Sequence, residues 1–134
     1  MSDKDMTYLN IPSKLYFSLI DQQLYSLLLV FVGHYQLYIL ARDADQQELL
    51  QFVTEQMITI TEVICKHFKR GRMALMAVKE SGEAVHFTAD FLEEVEFFTN
   101  HHETNDASHF EKDSVFLRRM KTLVKSHSIT WPSE

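Results

Sequence analysis

Three glycines and two prolines in 134 residues leave this chain few places to reverse direction, and that scarcity constrains its fold more than any motif does. A β-sandwich or barrel must turn at short intervals and draws on Gly and Pro to do so. Gly33, Gly71 and Gly82 stand far apart, so the sequence predicts long elements and few reversals. The expectation is an all-α fold, a compact bundle of about four to five helices. The length fits a single domain over 1–134, with termini that fray over about 1–10 and 128–134.

The clearest helix spans 45–70. Leu50, Val53, Met57, Ile60, Ile64 and Phe68 recur at spacings of three and four and share one face. Asp45 with Glu48 reads as a capping box at its start, and Gly71 as the left-handed residue that stops it. A second helix is expected after Thr88, with Phe91, Val95 and Phe98 inward. A third covers about 108–127, with Phe116, Met120 and Leu123 inward and Arg118, Arg119, Lys121 and Lys125 toward its second half. The tail after it holds Pro132 and Trp131, read as exposed.

Residues 13–41 permit two readings. As a helix, Ile20, Leu24, Leu27, Phe31, His34 and Tyr38 align, while apolar residues on the other faces imply a nearly buried central element. As a hairpin, 25–32 and 35–41 are β-competent runs joined by Gly33-His34, with Gly placed for a type II′ turn. Residues 73–79 and 83–88 could pair likewise around Ser81-Gly82, which gives the alternative fold: α+β, two hairpins each followed by a helix. In that form the chain is similar in size and charge to bacterial secretion chaperones, acidic α+β dimers that hold an unfolded client segment. The window 24–41 is the most lipid-like, but Ser26, Gly33, His34 and Gln36 interrupt it and Asp21 and Arg42 bracket it. It is read as core, not as a membrane span.

Charge is uneven within a net −6. Residues 66–79 carry five bases and no acid, 80–113 carry ten acids and one base, and 114–134 are again positive. An acidic chain is repelled by nucleic acid, and Lys66, Lys69, Arg70 and Arg72 are too few to reverse that, so direct nucleic-acid binding is not expected. Glu93, Glu94, Glu96, Asn100 and Glu103 belong to the acidic stretch and are the candidate partner-binding residues. The fit is to a basic protein partner such as a regulator, a toxin or a polymerase subunit.

Seven histidines raise a metal site, with His101, His102, His109 and Asp113 as candidate ligands; His109 and Asp113, four apart, could face one ion from one helix. The run His101-His102-Glu103 resembles the hemerythrin-like cation-binding proteins over three residues, which implies a helical bundle acting as a sensor or di-metal protein. That family draws ligands from several helices, and the first long element here supplies only His34. The same histidines could sense pH, since protonating all of them takes the charge from −6 to +1.

No phosphate-cradling glycine loop, dinucleotide fingerprint or Gly-x-Ser-x-Gly occurs, so no catalytic residue and no cofactor is assigned. Cys65 neighbours Ile64 and Phe68 and reads as a packed small hydrophobe. As the single cysteine it permits no intrachain disulfide, and the polar start Met1-Ser2-Asp3-Lys4-Asp5 lacks the form of an export signal. These point to the cytoplasm. Ten Phe, five Tyr and six Met exceed what a small core needs and suggest an exposed apolar or self-association face, compatible with a homodimer. The sequence reading is therefore a small acidic, non-enzymatic regulator, adaptor or inhibitor, with the metal-binding bundle and the chaperone-like dimer as alternatives.

Overall fold

The computed structural model describes residues 13–81, 89–100 and 107–133; within these, the side chains of 13–20, 79, 81 and 89–91 are not described. The described residues form four α-helices, α1 (Ser13–Asp43), α2 (Gln47–Ser81), α3 (Ala89–Asn100) and α4 (Val115–Ser126), with a 3₁₀ turn at Ala107–Phe110 and no strand. The fold is an all-α bundle. α1 and α2 form a long antiparallel hairpin, α3 packs on α2, and the 3₁₀ turn joins α4 to that pair.

The first of the two hairpins is replaced by helix: 24–41 lies inside α1. Leu24, Leu28, Phe31, Tyr35 and Ile39 are all buried. A two-residue period would put Leu24 and Leu28 on one face and Phe31, Tyr35 and Ile39 on the other, whereas a 3.6-residue period buries all five together. The second hairpin fails in its first strand, since 73–79 lies inside α2; residues 82–88, Thr88 included, are outside the described residues. Without hairpins the likeness to an α+β chaperone loses its premise.

α2 does not stop at Gly71. The buried stripe of Val53, Met57, Ile64 and Phe68 continues through Leu75 and Val78. Burying each of these last two is worth roughly 1.5–3 kcal/mol, more than the roughly 1 kcal/mol that a helical glycine costs. Nor does Asp45 start α2. It closes α1, with φ 53, while its N–H donates to the Arg42 carbonyl and the Gln46 N–H donates to the Ala41 carbonyl. This is a Schellman motif with aspartate at the left-handed position.

The third expected helix breaks in two. Asp113 turns the chain with φ 69, and Ser114 then caps α4 by accepting from the Leu117 N–H at 3.0 Å. The Ser114 hydroxyl also donates to the His109 carbonyl at 2.5 Å, tying the cap to the 3₁₀ turn. At the other end Ser128, with φ 60, closes α4 by a second Schellman pair: Ser128 N–H to Lys125 carbonyl and Ile129 N–H to Val124 carbonyl. That reversal folds the tail inward. Ile129 and Pro132 are buried and the Trp131 ring lies 5.0 Å from Tyr35, so 128–133 pack where fraying was expected. Residues 1–10 lie outside the described residues.

Aromatic rings join the helices. Phe68 of α2 stacks on Phe98 of α3 (4.9 Å), Phe98 meets Phe116 of α4 (5.8 Å), and Phe116 meets Phe110 (6.5 Å), which reaches Phe31 of α1 (6.2 Å). Such pairs add to area burial through their edge and face electrostatics. Among the described phenylalanines, Phe31, Phe68, Phe98, Phe110 and Phe116 are thus buried, while Phe52 is exposed.

Candidate interaction surface

From Leu24 to Ala41, α1 carries apolar residues on several faces, and they are not buried all round. Opposite the buried stripe, Tyr25, Leu29, Val30, Leu37 and Leu40 are exposed, Leu40 by 64%. At 100° per residue these side chains fall on a face centred on Gly33, over a length of roughly 22 Å. No Asp, Glu, Lys or Arg occurs between Asp21 and Arg42. Residues 21–41, expected to form a nearly buried element, are buried along one side only, and the side chains of 13–20 lie outside the described residues. The inner stripe packs on α2, on Phe110 and on the tail, and one layer of neighbours cannot also cover the outer face of a two-sided helix.

Gly33 sits in the middle of that face, with open space where a Cβ would project. Beside it a groove of about 410 Å³ is lined by Gly33, Gln36, Leu37, Leu40, Pro132 and Ser133, so the docked tail forms one wall. By length and composition Asp21–Asp43 is also long and apolar enough to cross a membrane.

Of the acidic candidates, Glu93, Glu96 and Asn100 are exposed on α3, while Glu94 is half-buried. Asn100 donates to Glu96 at 3.3 Å, and Arg72 of α2 approaches the same carboxylate at 4.0 Å. Part of the acidic face is thus already paired with a member of the basic cluster. Glu103 lies outside the described residues.

The metal candidates separate. His109 belongs to the 3₁₀ turn, stacked on Phe116 at 4.6 Å, and Asp113 lies in the exposed turn that follows. They share no helix, so their four-residue spacing does not place them side by side. His101 and His102 lie outside the described residues, and among the described ones no group of three or more His, Cys, Asp or Glu could hold a metal ion.

Cys65 is fully buried, and burial, followed by the nearby Glu62 charge, pushes its thiol up to about 12. A thiol held protonated is a poor nucleophile, in keeping with its reading as a packed side chain. His67, beside it, is buried and meets Phe68 edge-on at 6.1 Å.

The chain matches no protein-family model, no curated protein and no solved structure. What it offers a ligand is consequently read from its surfaces alone. The outer face of α1 was missed from sequence because a two-sided apolar run gives no sign of which side a small protein leaves open. The signal present was the glycine, small and central in an uncharged stretch.

Proposed function

We propose that this chain is a non-enzymatic interaction module, a small acidic regulator, adaptor or inhibitor that docks a protein partner through the outer face of α1. One observation carries the reading: Leu29, Val30, Leu37 and Leu40 remain exposed around Gly33 on a helix with no formal charge from Gln22 to Ala41. Clustered exposed apolar side chains such as these, interrupted only by the uncharged Ser26 and Gln36, mark interaction surfaces and supply the core of an interface. Covering what remains of each half-exposed leucine is worth roughly 1 kcal/mol.

The net charge of −6 and the exposed carboxylates of Glu93 and Glu96 favour a basic partner and set its approach more than its final affinity. The reading places the protein in the cytoplasm and needs no cofactor. Leu37→Glu tests it. The residue is exposed, so the variant keeps its melting temperature, while the native complex of this protein weakens by about tenfold or more. A complex indifferent to Leu37→Glu would reject this face.

A further inference from the structure

We propose a second docking site on the opposite sign of charge: the cleft between α4 and the C-terminal segment binds an acidic peptide segment of another protein. Two cavities adjoin there, of about 480 and 220 Å³, and both are lined by Lys121 and Trp131. Lys125, Ile129 and Pro132 extend the larger, and Lys112, Leu117 and Arg118 the smaller. Four cations therefore line one cleft, against a single carboxylate among the described lining residues, that of Asp113. All four are exposed, and among the described residues none is in an ion pair.

Helix electrostatics do not account for this cluster. Lys121 and Lys125 suit the negative end of α4, but Arg118 sits in its first turn and Lys112 precedes the helix, where the macrodipole disfavours a cation. In a chain of net charge −6, four cations beside one cleft, none paired with another described residue, are a selective feature, and an acidic ligand matches them. Duplex nucleic acid is repelled by the rest of the molecule.

Trp131 supplies the apolar part. Its ring rests on Tyr35 at 5.0 Å and it lines both cavities, so an apolar ligand side chain can pack against it between flanking carboxylates. An extended peptide repeats a side chain on one face every roughly 7 Å, close to the roughly 6 Å rise between Lys121 and Lys125. Alternating acidic and apolar residues fit that spacing.

Trp131 is the only tryptophan in the chain, so its emission reports on the cleft directly. The probe is a seven-residue peptide alternating Glu with Phe and Leu, titrated alongside its Gln counterpart and a thymidine octanucleotide. We expect a saturable emission change with the Glu peptide, about tenfold weaker binding of the Gln peptide, and affinity that falls as salt rises. The double variant Lys121→Glu/Lys125→Glu lowers affinity by about tenfold or more, while Lys69→Glu on α2 leaves it unchanged. Absence of a saturable change up to about 1 mM peptide, equal binding of the Gln peptide, tighter binding of the oligonucleotide, or an equal loss in Lys69→Glu would each overturn the proposal.

Discussion

His127, just past the end of α4, reaches Asp21 in the first half of α1, with Nε2 3.1 Å from Oδ1 across 106 positions of sequence. The same ring places Nδ1 3.0 Å from the Leu123 carbonyl. Either acceptor can take a hydrogen bond from a ring N–H, and the tautomer sets which one does. The histidine thereby caps one helix and fastens it to another. The Asp21 side chain is 68% exposed, so water competes for its half of the contact. Asp21→Ala is expected to cost less than about 1 kcal/mol. His127→Ala, which also loses the Leu123 carbonyl, costs more. Denaturant unfolding of both single variants and the double variant measures the coupling, and equal single costs would remove the capping role.

Asp45 and Ser128 hold left-handed conformations that glycine adopts without strain. Ser128→Gly is expected to raise stability by about 0.5–1 kcal/mol. Asp45→Gly gains less, because Asp45 Oδ1 accepts from Gln47 Nε2 at 2.6 Å and that bond is lost. Thermal unfolding ranks the two, and a loss at Ser128 would contradict the Schellman assignment.

Much of this bundle is legible in the sequence, and particular residues show where legibility ends. The stripes through Val53, Met57, Ile64 and Phe68, and through Phe116, Met120 and Leu123, are buried as their spacing predicts. In α1 apolar residues occur on several faces at once, so periodicity leaves helix and hairpin open and does not mark which side stays exposed. Gly71 and Asp45 misled for another reason. Local preference marks where a helix can end, while the burial of Leu75 and Val78, and the hydrogen bonds of the 41–46 turn, decide where it does. The docking of Ile129 and Trp131 is a long-range event that no local pattern announces. Glu93 and Glu96 are exposed on α3, while the approach of Arg72 to Glu96 joins two helices that no local pattern pairs.

Gly71 leads to a direct check. It is internal to α2, and a Cβ built there meets nothing within 4 Å. Gly71→Ala is expected to stabilise the protein by about 0.5–1 kcal/mol, the propensity difference between the two residues in a helix interior. A helix that ended at this position with a left-handed glycine would instead be destabilised by the substitution.

Cys65 gives a pH-dependent test. Its folded-state thiol is pushed to about 12, chiefly by burial and then by Glu62, from an ordinary value of 9.0. Above pH 9 the unfolded chain releases this proton and the folded chain retains it, so stability present below that point is lost as pH rises toward 12. The slope is at most about 1.4 kcal/mol per pH unit. Other groups titrate in that range, so the comparison is with Cys65→Ala: the substitution costs about 1 kcal/mol at neutral pH and makes the alkaline decline shallower. Parallel declines would contradict the burial of this thiol, as would fast alkylation of the native protein.

The central claim is that the outer face of α1 meets another protein. A photoreactive amino acid placed at Leu37, in the natively expressed protein, tests it most directly, with the same group at the exposed Gln51 of α2 as the comparison. The account predicts a discrete crosslinked protein species from position 37 that is absent from position 51 and lost when Leu40→Glu is added. Uncrosslinked protein only, crosslinks to lipid only, or the same species from both positions would contradict it.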